Sequence, residues 1–218
     1  MSAAAHPLFS GEDLEKIRLA TQRAEGSTSG EVVSYCVSRS DEYPEATLKA
    51  CGLGALLAVV VAAGWHAWGG FWGADILWIL APPPLGAVAG WLAARSASLR
   101  RLLVDEDIME RRVGLRAESA FLEEEVFKTR DRTGVLLFLS LFEHKVVVLA
   151  DEGIHRQVEA SEWTSISSRL ARGIRDGRAA EALIEAIGAC GDLLERRRVE
   201  RREDDVNELA DELRIRRD

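Results

Sequence analysis

The stretch from Ala50 to Ala94 contains a single Asp, Glu, Lys or Arg, which is Asp75, and this limits what the chain can become more than any other feature. About 20 apolar residues reach across the ~30 Å hydrocarbon layer of a bilayer at about 1.5 Å per residue. Two such runs fit, Ala50 to Trp68 and about Ile76 to Ala94, so the reading is a hairpin of two transmembrane helices. The break falls at Gly69, Gly70, Gly73 and Asp75, flanked by Trp65, Trp68, Trp72 and Trp78, a residue type that favours the headgroup level. Lys49 precedes the first span and Arg95, Arg100 and Arg101 follow the second, while the connecting loop has no Lys or Arg. The positive-inside tendency then puts both termini in the cytoplasm. Small residues four apart, Gly54, Ala58 and Ala62 on one span and Gly86, Gly90 and Ala94 on the other, suit close packing of the spans on each other or on a partner helix. Pro82, Pro83 and Pro84 are expected to kink the second span. The plain alternative is a buried helical hairpin in the core of a soluble protein, which the Trp and Arg flanks disfavour.

Once the hairpin is set aside, roughly 150 residues remain for a water-soluble core, enough for one domain. A net charge of -8 argues against nucleic acid as a partner, because neutralising phosphates takes a clustered excess of Lys and Arg. Cys36, Cys51 and Cys190 are odd in number and widely spaced, which speaks against a disulfide framework or a zinc site. Ser10 with Asp13 forms a capping-box pattern that predicts a helix from Ser10 to Glu25. Val32, Val33, Tyr35 and Val37 mark a strand. After the hairpin, Ser98 to Arg130 reads as one or two amphipathic helices, Val135 to Leu141 and Val146 to Ala150 as a β-hairpin, and Ser161 to Arg172 and Ala179 to Arg196 as helices. The expected fold class is α/β, a mixed sheet covered by helices. The tail from Glu195 to Asp218, with eight basic and nine acidic residues, predicts a solvated helix whose narrow stripe of Val206, Leu209 and Leu213 offers a surface for a partner. The implied organisation is 8–48 and 96–196 as two parts of one domain, 49–95 as the membrane hairpin and 197–218 as a charged tail.

Several segments, in order, resemble the TPM domain family. They are Thr28-Ser29-Gly30-Glu31, Ser40 to Tyr43, Thr133-Gly134-Val135-Leu136-Leu137, Phe142-Glu143-His144-Lys145, Ala150-Asp151-Glu152-Gly153-Ile154, the helix bearing Trp163, and Asp204-Asp205-Val206-Asn207-Glu208-Leu209. The resemblance covers roughly residues 10 to 212 and implies an αβα sandwich of the bacterial membrane-inserted kind, in the inner membrane. Some plant members are acid phosphatases or metal binders, whereas most bacterial members have no established activity. This chain departs from the better-known pattern in carrying its apolar helices inside the domain, after the first strand, rather than beyond it.

Catalytic motifs are scarce: there is no phosphate-cradling Gly-rich loop, no His-Glu-x-x-His, no Gly-x-Ser-x-Gly and no Cys-x-x-Cys. Four loop carboxylates remain, Asp41 and Glu42 after the first strand and Asp151 and Glu152 after the third. If those strands run the same way, the loops meet and offer oxygen ligands suited to Ca²⁺ or Mg²⁺, with which a phosphoryl oxygen or a water could be activated. The plain alternative is that they are solvated and cap helices. His144 and His155 are weighed as acid–base groups and Cys36 as a buried apolar side chain. The leading expectation is a membrane-anchored binding or assembly module, in contact with lipid and with a membrane-protein partner or a second copy of itself. A divalent-metal phosphatase is the alternative.

Overall fold

The structure is a computed structural model and describes residues 9–68, 77–197 and 207–216. The proposed turn at Gly69, Gly70, Trp72, Gly73 and Asp75 lies outside the described residues, as do Val206 and the side chain of His155. The chain divides into two compact units, residues 1–40 with 110–218 and residues 41–109. The second is wider than the 49–95 hairpin expected from hydropathy.

In the first unit, α1 (Gly11–Glu25) starts at the expected capping box: the Asp13 amide donates to Ser10 Oγ and the Ser10 amide to Asp13 Oδ2. It leads into β1 (Glu31–Val37), in which every residue is buried. A strand covered on both faces reads as nearly continuous apolar sequence, as Glu31-Val-Val-Ser-Tyr-Cys-Val37 does apart from its first residue and Ser34. β2 (Gly134–Ser140) pairs with β1 in parallel, and β3 (Lys145–Ala150) returns antiparallel to β2. The sheet order is β3-β2-β1-β4, where β4 (Arg214–Arg216) pairs parallel to β1.

Alternation along the strands divides the core. Val32, Cys36, Val135, Leu137 and Leu139 face α1, α8 (Ala160–Arg175) and α9 (Ala179–Arg196). Val33, Tyr35, Val37, Leu136 and Phe138 face the other way, against Val113, Ala117 and Ala120. These three lie at i, i+4 and i+7 on α6 (Glu106–Glu123). The architecture is therefore a mixed four-stranded sheet with helices on both faces. Parallel neighbours require a crossover, and here everything between β1 and β2 forms it. α7 (Glu152–His155) is a single turn after β3.

The stretch 98–130 forms two helices, α5 (Ala97–Leu103) and α6, parted at Val104 and Asp105, and a 3₁₀ turn at Val126–Lys128 follows. One expectation needs correction. The tail is not a solvated helix where it is described: Leu213 and Ile215 enter one core layer, Leu209 packs on the other, and Arg214–Arg216 extend the sheet. Of the three apolar positions that suggested a helical stripe, Leu209 and Leu213 are spent on opposite faces of the sheet, and Val206 lies outside the described residues.

In the second unit, α2 runs Pro44–Ala67, with Pro at its first turn where no amide partner is lost. At 24 residues and a mean hydropathy of 2.0 it is long and apolar enough to cross a membrane. It begins six residues before the span expected at Ala50. α3 (Leu77–Leu80) and α4 (Pro82–Ala93) are separated at Ala81, where the three prolines remove successive amide donors. The ladder resumes when the Leu85 amide donates to the Ala81 carbonyl.

Candidate functional site

The α2 and α4 helices meet along their small residues. A Cβ on Gly54 would lie 2.2 Å from the Gly86 carbonyl oxygen, one on Gly86 2.2 Å from that of Gly54, and one on Gly90 2.1 Å from that of Ala50. The two backbones touch, which only glycine permits at those three positions. Everything large on this pair therefore points away from the contact: Leu53, Leu56, Leu57, Val60, Val61 and Trp65 on α2, and Leu85, Val88, Trp91 and Leu92 on α4, are all exposed. So large an exposed apolar patch marks a surface built for lipid or protein rather than water. At the end of α4 the Arg95 guanidinium stacks 4.0 Å from the centre of the Trp91 ring.

The four loop carboxylates do not form one site. β1 and β2 run the same way, but β3 runs against them, so Ala150 sits opposite Val135 while Lys145 sits opposite Ser140. Asp151 and Glu152 consequently follow the sheet end where β1 begins, whereas Asp41 and Glu42 follow the end where β1 leaves, about 20 Å away at about 3.3 Å per residue. Each has local work instead. Asp41 accepts from the amides of Glu42 and Tyr43 just ahead of α2. Asp151, only 5% exposed, caps α7 by accepting from the Glu152 amide and pairs with Arg132 at 2.9 Å. Glu152 pairs with Arg156. The Asp151 contacts pin the turn ahead of β2, to which Gly153 comes so close that a Cβ there would sit 2.5 Å from the Asp131 carbonyl oxygen. Among the described residues no group of three or more His, Cys, Asp or Glu side chains is placed to hold a metal ion.

Where β1 leaves the sheet, Glu143 is 1% exposed and accepts from the Ser40 amide at 2.9 Å and from the Ser140 hydroxyl, while Ser40 Oγ and Ser140 Oγ are 2.7 Å apart. This buried knot fixes the exit toward α2. His144 occupies the left-handed position of the same turn, with φ 52. Cys36 is no reactive thiolate, because burial pushes its thiol up to about 12.

At the other end of the strands, the tail is held by carboxylates. The Glu208 amide donates to Glu31 Oε1, the Arg130 amide to Glu208 Oε2, and Gln22 Nε2 to Asp211 Oδ2. Burial, with the charges of Glu31 and Asp211 nearby, pushes the Glu25 carboxyl up to about 8 despite the opposing hydrogen bond from the Val32 amide. Arg214 pairs with Glu124 at 2.6 Å. None of these tail contacts was foreseen from the sequence.

Two hollows in the first unit gather charged side chains. One, about 570 Å³, lies between α8 and α9 with Glu162, Asp192 and Glu195 facing Arg169 and Arg196. The other, about 390 Å³, follows β3 and carries Lys145, Arg172 and Arg175 against one carboxylate, Glu110.

No family model matches the chain, and no curated protein sequence matches it. Among solved structures it is similar to the NMR structure of the BA42 protein from the psychrophilic bacterium Bizionia argentinensis, at 17% identity and a TM-score of 0.60, covering 99% of this chain and 100% of that one. What the two share is the fold.

Proposed function

We propose that the chain is an integral protein of a bacterial inner membrane, held by α2 as one span and α3 with α4 as a second, with both termini and the sheet unit on the cytoplasmic side, where the sheet unit is a TPM-like binding or assembly module. The observation that carries this reading is the inverted helix pair: backbone contacts at Gly54, Gly86 and Gly90 inside, and Leu, Val and Trp outside. Association through close backbone approach is how helices join in lipid, where no hydrophobic force draws them together. A core hairpin of a soluble protein would bury those side chains, and only 11% of the most apolar window of α2 is buried. The Lys49 and Arg95 flanks favour the cytoplasmic orientation.

Membrane fractionation tests the anchor. The chain should stay with membranes through an alkaline carbonate wash and be released by detergent; recovery in the soluble fraction after detergent-free lysis would end the reading. Protease added to sealed inside-out vesicles should digest the sheet unit. A pull-down from detergent-solubilised membranes should bring down a membrane protein, and retrieval of the chain alone would count against the module. A metal-dependent phosphatase built on Asp41 and Asp151 has no geometric support, since the sheet holds those loops at opposite ends.

A further inference from the structure

We propose that the outer edge of β3 receives an extended acidic peptide segment from the partner, which adds to the sheet as a fifth strand. This rests on the binding-module reading and gives it a place and a chemistry. β3 is the last strand on its side of the sheet. The Asp151 amide donates to the Gly134 carbonyl, so alternation along the unbroken antiparallel register points the odd residues of β3 at β2 and turns the N–H and C=O groups of Val146 and Val148 outward. Neither has a backbone partner on that side among the described residues. An open row of this kind is a template for another strand unless it is blunted or covered.

The groove of about 390 Å³ lies along that row rather than over either face of the sheet. Val146, which points at the α8 layer, and Val147, which points at the α6 layer, both line it, and so do residues of α8 and of α6. Its charge is the reverse of the chain's. The protein carries a net -8, yet here Lys145, Arg172 and Arg175 meet a single carboxylate, Glu110. Ser168, Arg172 and Arg175 stand at i, i+4 and i+7 and so share one stripe of α8. No described carboxylate forms an ion pair with Arg172 or Arg175. Two arginines in the last turn of α8 complement its dipole, but that does not account for their converging with Lys145 on an open strand edge. Backbone groups facing outward recognise another backbone, and the cations select Asp or Glu on it. A peptide satisfies both, whereas a free phosphate or a lipid headgroup satisfies only the second.

The test uses the full chain in detergent micelles and fluorescein-labelled Glu-Val-Glu-Val-Glu-Val-Glu, followed by anisotropy. The peptide should bind saturably, and at least about tenfold more weakly when alternate amides are N-methylated, because methylation removes the donors and keeps the charge. Arg172→Glu with Arg175→Glu should weaken binding at least about tenfold, while Arg169→Glu, on the same helix but lining the other hollow, should leave it unchanged. Absence of saturable binding at millimolar peptide, an N-methylated peptide that binds as well as its parent, or an equal loss in Arg169→Glu would each overturn the proposal. The methylation arm needs no variant and so stands even if the double substitution disturbs folding. Co-purification from membranes separates the two readings: a partner retained by a chain that no longer takes the peptide removes the groove and keeps the module. Absence of any partner removes the module, and the peptide titration still decides the groove.

Discussion

In the sheet unit Leu137 is wholly buried, whereas on α2 Leu57, the same side chain, is 64% exposed. The helices show the same inversion: α9 buries Leu183, Ile187 and Leu194, while α2 buries only Ala46 and Ala50 and points its leucines and valines outward. Side-chain type alone decides neither case. Water drives the large apolar groups inward, while a helix pair meant for lipid is held by the closeness of its backbones and keeps its bulk for the surroundings. One chain therefore holds its large apolar side chains in two opposite arrangements, the second being the one the proposed membrane anchor requires, and the difference can be attacked experimentally.

The largest effect should come from changing the solvent preference of α2. Leu57→Lys with Val61→Lys should cost roughly 6 kcal/mol of membrane insertion, at about 3 kcal/mol for each central lysine, and should shift the chain out of carbonate-washed membranes. If the doubly substituted chain remained in the pellet, the contrast with Leu137 would lose its meaning. Next comes the core itself. Leu137→Ala should lower the unfolding free energy of the sheet unit by about 2–5 kcal/mol in a urea titration, against about 0.5 kcal/mol or less for Leu57→Ala.

A third test sets close approach in one unit against close approach in the other. Gly134→Ala would place a Cβ 2.2 Å from the Val126 carbonyl oxygen and should cost about 1–3 kcal/mol by the same titration. Gly90→Ala should instead loosen the helix pair and leave the urea midpoint of the sheet unit in place, which limited proteolysis between α2 and α4 would detect. The finest test concerns pH. Because the folded state holds the Glu25 proton up to about 8 while the unfolded state releases it near the ordinary carboxyl value, the stability from this group is complete in acid and is lost as pH rises to about 8. Glu25→Gln should remove that decline, gaining on the parent protein as urea midpoints are compared at pH 5, 6.5 and 8 and gaining nothing more beyond. A parallel pair of curves would show that Glu25 does not couple folding to protons.

The elements with strong local signals were legible in the sequence. Ser10 and Asp13 announced α1, the run 135–141 announced β2, and the uncharged stretch announced α2 to within six residues at its start. What stayed hidden was polarity over long distances. The hairpin itself reverses β3, but that β1 lies parallel to β2 is encoded in no local pattern, and it alone separates Asp41 from Asp151. β4 was hidden for a related reason. Arg214-Ile215-Arg216 has one apolar residue and earns its place only from Tyr35, Cys36 and Val37, almost 180 positions earlier. The knot of Ser40, Ser140 and Glu143 likewise joins residues about 100 apart, so neither serine signals its role from its own neighbours.

That β1 lies between β2 and β4 has a consequence for how the protein is made. The strand is made before either neighbour, since the first is encoded some hundred residues later and the second almost 180 residues later. At synthesis rates of about 5–20 residues per second, a strand with no polar face stays unmated for about 5–20 seconds and its far side for about 10–35 seconds. During that interval the following segment is already apolar enough to engage lipid. A segment apolar enough to engage lipid is thus made before the central strand has either neighbour, and removal of Arg214–Arg216 would leave one flank of that strand bare.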